Sequence, residues 1–489
     1  MPSHDDVHRL STLRTRLLQG DISRRGFLTA AMGLSATALL AGCAGGLKPA
    51  GARGGSSTEI PLYTVENDPA TLAFYNMVIA KFEKDHPGYT VKVTVYSDSN
   101  QLQYLTTAVQ NGIDLGIFAP PVSSFPDFQA AGHLADITGL VRDIGEDDFL
   151  PGTRMIIDGR DYGMPMQSNS SLVYARKDLL DEAGLSIPRS FEEYLNAVRT
   201  LHGRNGIIGI ASGVGATPQL SLQFFTPYLY QQGVDYFDQD GECTFDRPEA
   251  RDAVKSFTDI LRHTSDSMYN CAFGDIANSY TAGRAAFATF PGRLGAGLHE
   301  KAKDVADATV VMPIPAGPFE TAALHFGSGQ QYGVHANTGN LELATEFLKR
   351  LTTGDDAVAF ALTVPGHLLP ALKSTRDLLV ERVDDASEGY LFERRQWMRT
   401  FIDNVATAMT PSTSMGAVRD GTFDGKISNL CPWAADVWPS PALDTVMFQD
   451  ILIKGVDVDT AWRNAAARIK KVGDDWRAAN PGWTPEVTR

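Results

Sequence analysis

Few of the reactive side chains in this sequence stand at spacings that do chemistry. Its ten histidines include no H-E-x-x-H, the pair that puts two imidazoles on one helix face around zinc. Cys43, Cys243, Cys271 and Cys431 form no C-x-x-C of the kind a metal knuckle or redox dithiol needs. Ser328 has Phe326 and Gln330 where a nucleophile elbow requires two glycines. Gly425-Lys426 follows Asp420 where a phosphate loop needs glycine. Asp238-Gln239-Asp240-Gly241 suggests a calcium loop, but its first and twelfth positions would be Tyr236 and Arg247, which supply no carboxylate. Asp240-Gly241 reads instead as a hairpin turn. Carboxylates are plentiful, yet no motif selects a pair to flank a glycosidic bond. No catalytic residue, metal or cofactor is expected.

The polar side chains are better suited to recognition than to reaction. Gln167 and Asn169 carry amides that both donate to and accept from a hydroxyl, although capping a loop would use the same groups. The elements around them predict where a ligand would sit. Residues 59–64 read as a strand, 69–85 as a helix entered at Pro69, and 89–97 as a half-buried strand with Val91, Val93 and Val95 on one face. A further helix and the strand in 113–120 complete a β-α-β-α-β alternation, which implies a parallel sheet with ligands at the carboxyl ends of its strands. Those ends carry Glu66, Asn67 and Asp68 after the first strand, and Ser123 and Ser124 after the third.

The start of the chain is an address. Ser23-Arg24-Arg25-Gly26-Phe27-Leu28 matches a twin-arginine export leader, and the apolar run from Phe27 to Ala41 is shorter than the roughly 20 residues that span a bilayer. Leu40-Ala41-Gly42-Cys43 resembles the lipobox of bacterial lipoproteins, which implies cleavage after residue 42 and lipid attachment at Cys43. Residues 43–58, rich in Gly, Ala and Ser, read as a flexible tether. The full chain has 489 residues and net charge −15. Removing residues 1–42 takes away five arginines and three aspartates, so the remainder is more acidic still and is no partner for nucleic acid. The chain beyond the tether exceeds the typical domain of about 50–250 residues, so two lobes are expected. One disulfide is possible among Cys243, Cys271 and Cys431, though they read as small buried apolar residues.

Five stretches in order resemble the family 1 extracellular solute-binding proteins, the receptor subunits of ATP-driven importers. They are IAKFEKDHPGYTVKV; the run carrying Tyr162, Gly163, Pro165, Tyr174, Asp178, Gly184, Pro188 and Glu192; the FDQDGECTF hairpin with its helix; AFATFPGRLGAG; and GSGQQYG through GHLLPAL. The resemblance implies an α/β, type II-like periplasmic-binding-protein fold, each lobe a mixed sheet flanked by helices and joined by hinge crossings. It places lobe 1 at 59–166 plus 327–373 and lobe 2 at 167–326 plus 374–489.

The same resemblance implies a sugar- or oligosaccharide-binding lipoprotein, monomeric, on the outer face of the cytoplasmic membrane, that passes its solute to importer permeases. It adds Arg293, standing where relatives carry a cleft tryptophan, Gln330 at the second crossing, and Trp433 or Trp438 as a stacking platform; Trp397, Trp462 and Trp476 read as core. A receptor for a phosphate ester, organic acid or polyamine is the first alternative, and a secreted glycoside hydrolase the second.

Overall fold

A computed structural model describes residues 58–97, 100–150, 152–215, 218–315, 317, 325–405, 408–409, 415–416, 418–419, 422–423, 431–439 and 441–484. The leader, Cys43 and the tether lie outside the described residues. The strands that matter here are β1 (Glu59–Thr64), β2 (Thr90–Val95), β3 (Ile117–Phe118), β4 (Met155–Ile157), β5 (Arg160–Arg176), β6 (Ile208–Ala211), β7 (Ala285–Pro291), β8 (Thr309–Met312) and β9 (His325–Val334). The chain divides into two compact units. One takes the chain up to Ile144, with Arg160–Met164 and Gln331–Lys349; the other takes Gly145–Gly159, Pro165–Gln330 and Arg350 onward. Residues 145–159, 165–166, 327–330 and 350–373 thus fall in the second unit, whereas the resemblance would put them in lobe 1.

In the first unit β1 pairs in parallel with β2 and β3, and the end of β9 closes the other edge of β3 antiparallel, Ile117 facing Val334. Pro69 opens the helix Pro69–Asp85, its fixed φ and absent N–H suiting the first turn. Phe74, Tyr75, Val78 and Phe82 form its buried stripe. Gly116 is obligatory, because its φ is +53° and a Cβ there would lie 2.3 Å from the Pro61 carbonyl oxygen. The valine face of β2 is covered at one end only: Val91 is buried, but Val95 is 40% exposed. The cause is position, since β2 is the edge strand of this sheet.

The returning segment 331–349 is stapled into this unit. Tyr332 Oη shares hydrogen bonds with Thr64 Oγ1 (2.5 Å) and Tyr75 Oη (3.1 Å), His335 Nδ1 lies 3.2 Å from Asp114 Oδ1, and Lys349 pairs with Asp143.

In the second unit β7 pairs antiparallel with β5 and parallel with β6, and β8 lies antiparallel on the other side of β5. This sheet is mixed as well. Its core gathers Tyr194, Phe225, Phe257, Phe287 and Phe448, with Trp397, Trp433 and Trp462. Cys243, Cys271 and Cys431 are free and buried; burial pushes the Cys243 and Cys271 thiols up to about 11. Among the described residues no helix is long and apolar enough to cross a membrane.

Candidate functional site

In the first unit the parallel register brings the expected residues to one end of the sheet. Tyr63 stands opposite Phe118 and Thr64 opposite Val95, so the loops after β1, β2 and β3 share an edge. Glu66 is buried there, its backbone N–H donating to Thr64 Oγ1 at 3.1 Å. Its carboxylate and, above all, burial raise the Tyr75 and Tyr332 hydroxyls above the usual phenol range. Both therefore stay protonated donors. Asn67 is exposed and Asp68 half-buried. Ser123 and Ser124 lie in a turn of 3-10 helix, Ser123 half-buried and Ser124 fully buried. The Ala119 carbonyl before that turn accepts from Tyr96 Oη and from Gln101 Nε2 at 2.6 Å, which fixes the loop.

The second unit holds a less ordinary feature. Gln167, Ser168, Asn169, Ser170 and Ser171 are consecutive on β5 and all buried, none above 8% exposed. Five buried polar residues in a row inside a strand are costly unless their side chains find partners. Ser168 is tied by two backbone hydrogen bonds to Leu369 (2.8 and 3.1 Å), and Ser171 Oγ accepts from Gln223 Nε2 at 2.8 Å. Ser170 Oγ and Gln330 Oε1 are enclosed and have no hydrogen-bond partner among the described residues. Arg293 is half-buried at the first position of the helix Arg293–Lys301. Among the described residues no group of three or more His, Cys, Asp or Glu could hold a metal ion.

The two tryptophans expected to stack on a ligand are placed as packing residues. Trp433 is wholly enclosed, its ring centroid 5.1–5.4 Å from those of Phe237, Trp476 and Trp483. Gly241 and Gly473 press on it so closely that a Cβ on either would lie about 3 Å from its ring. Trp438 is 7% exposed and donates from Nε1 to Asp444 Oδ2 at 3.2 Å. Asp444 also accepts from Ser221 Oγ and Tyr236 Oη, each at 2.6 Å. Phe224, Phe225 and Tyr228 are buried too. Residue spacing alone cannot separate an indole in a core from one in a site, so both positions suit a platform until their neighbours are known. Sequence reasoning misses Ser170, Ser171, Gln223 and His367; the signal available for the first two is the unbroken polar run 167–171 between the apolar stretches 162–166 and 172–175 of the strand.

The bacterial extracellular solute-binding protein family matches residues 67–357, more than half of the chain. The chain belongs to this family. Its members are binding proteins and not enzymes. Curated relatives of this solute-binding protein include binding proteins of Brucella abortus, 24% identical over 268 residues, or 53% of the chain. The chain spans 64% of the length of those relatives. A mannitol-binding protein of Pseudomonas aeruginosa is 27% identical over 246 residues, 47% of the chain and 54% of that protein. Among solved structures, the GacH receptor of Streptomyces glaucescens, determined unliganded and with acarbose, aligns with TM-score 0.67 at 21% identity, covering 85% of this chain and 98% of that one. The solute-binding protein therefore has the two-lobe periplasmic-binding-protein fold that its sequence suggests.

Proposed function

We propose that this solute-binding protein captures a sugar, polyol or oligosaccharide and delivers it to the permease of an ABC importer, doing no chemistry on it. The observation that carries the reading is the buried polar run Gln167–Ser171 on β5, in which Ser170 Oγ has no hydrogen-bond partner among the described residues and a carbohydrate hydroxyl would supply one. The mannitol name of one relative and the acarbose complex of a structural neighbour support the same class. Glu66, Asn67, Asp68, Ser123 and Ser124 of the first unit, and Arg293 and Gln330 of the second, complete the proposed contacts.

A thermal-shift panel of mannitol, maltose, arabinooligosaccharides and acarbose tests this. A ligand at a hundredfold excess over its dissociation constant adds about 2.7 kcal/mol to the folded state, and chromatography should recover it unchanged. Turnover of any of them, or no shift with all, rejects the reading.

The monomeric protein is further proposed to leave the cytoplasm by the twin-arginine leader and to be held at the membrane by lipid on Cys43. Cys43→Ala should keep its melting temperature and lose partition into membranes after a high-salt wash. Retention of the mutant on washed membranes would end that idea.

A further inference from the structure

We propose that the solute carries an oxyanion, a phosphate or carboxylate group, and that Arg293, Ser170 and His367 hold it; this rests on the carbohydrate reading above. Three segments of the second unit meet at one point. Ser171 faces Pro291 across the β5–β7 ladder, and Ser168 bridges Leu369. Gly292 directly follows Pro291, and His367 comes two residues before Leu369, so Ser170 stands on β5 between the residues that these two segments contact. Gly292 and Gly366 are in backbone contact, so tightly that a Cβ on Gly292 would lie 2.1 Å from the Gly366 carbonyl carbon and oxygen and 2.6 Å from the His367 nitrogen. Gly292 turns into a helix and His367 lies in a turn, so both segments leave the strand pairing beside Ser170.

Polar atoms are left over at this point. Ser170 is 0% exposed, and its Oγ has no hydrogen-bond partner among the described residues. His367 Nδ1 is likewise enclosed and without one. Buried polar atoms are nearly always paired, so two such atoms on adjoining segments point to a group supplied from outside.

The charge around them selects its kind. The nine-residue helix Arg293–Lys301 begins here, with Gly292 as its N-cap, no side-chain cap and no acidic residue in its first turn. The positive end of its dipole is directed toward the point. Tyr174 Oη, which donates to the Pro291 carbonyl and accepts from the Gly295 N–H (both 3.1 Å), holds that first turn in place. Burial and, after it, the Arg293 cation keep the His367 imidazole neutral, its pKa pushed down to about 3, so its Nδ1 can present a proton without adding charge. The Ser170 hydroxyl, the imidazole N–H and the helix terminus offer donors here, beside the Arg293 cation. A group that only accepts, with negative charge, suits that set.

Calorimetric titration of the full chain with matched pairs tests this: glucose against glucose 6-phosphate and gluconate, and mannitol against mannitol 1-phosphate, with inorganic phosphate as the headgroup alone. One charged member should bind at least about tenfold tighter than its neutral counterpart, as a charge-assisted contact in an enclosed site does, and whether it is the phosphate or the acid names the oxyanion. Arg293→Gln should erase that preference, Arg293→Lys should keep part of it, and Ser170→Ala should reduce it. If Arg293→Gln does not fold by circular dichroism, the Lys and Ala variants decide: an unchanged preference in both overturns the assignment. Neutral members binding without regard to Arg293 overturn it too, and leave the carbohydrate reading standing. Failure of every pair, neutral and charged, overturns both.

Discussion

Asp235 and Asp444 flank Tyr236, and the donors each receives set how each ionises. Asp444 accepts from Ser221, Tyr236, Trp438 and the Thr445 N–H, so four hydrogen bonds oppose the burial that raises its pKa. Among the described residues, Asp235, 1% exposed, accepts from the backbone N–H groups of Tyr236 (2.7 Å) and Gly416 (2.9 Å), and burial pushes it up to about 7. An unfolded aspartate titrates near 3.9. Between those values the folded chain holds a proton that the unfolded chain releases, so stability falls as pH rises from about 4 to about 7, by roughly 4 kcal/mol in all. Urea unfolding at pH 5 and pH 8 should show Asp235→Asn removing most of that decline. An equal wild-type-to-mutant difference at both pH values would mean that Asp235 ionises normally. The enclosure of Trp433 and Trp438 leads to another expectation at this scale: saturating ligand should leave the indole emission maximum in place. A shift that Trp433→Phe abolishes would return that ring to the binding site.

At the scale of elements, one tight joint lies between the end of β7 and the loop before Leu368. Gly292→Ala would drive a methyl group into Gly366 backbone atoms at 2.1 Å, where no rotamer can give way. A cost of about 3 kcal/mol is expected, read from the urea midpoint at unchanged slope; a loss under about 1 kcal/mol would show that the two segments part freely. The β-α-β-α-β start is legible because hydrophobic period switches between 2 and 3.6 there and Pro69 punctuates it. What stays hidden depends on distant partners. The Val91–Val93–Val95 face fades because β2 has no neighbour beyond it. Trp433 is core because Gly241 and Gly473 receive it from either side, glycines that are remote in sequence from it. The crossing residues Gln167 and Asn169 are legible by type and order, but their burial together with three serines is not, since seventeen residues of β5 run through polar and apolar stretches alike.

Across the whole molecule, Cys243, Cys271 and Cys431 are free and buried, so none of their thiols should react with an aromatic disulfide reagent in the native protein, and all three should react in 6 M guanidinium, about the strength that unfolds very stable proteins. Reductant should leave the melting temperature unchanged. A native-state reaction at one of them would locate an opening in the second unit's core.

The order of synthesis inherits a burden from the way the first unit is assembled. Its sheet needs the end of β9 against β3, with Ile117 facing Val334 and Phe118 facing Gly333, and its core needs Tyr332 bonded to Thr64. Both arrive with the segment Gln331–Lys349, after the ribosome has added everything from Gly145 to Gln330. At about 5–20 residues per second that takes about 10 to 40 s. Throughout that interval the nascent chain carries β1, β2 and β3 with the edge of β3 bare as well as that of β2, the kind of template on which chains aggregate. A chaperone that recognises short apolar strands therefore has a defined window in which to cover Ile117 and Phe118, and the window closes when residue 334 emerges.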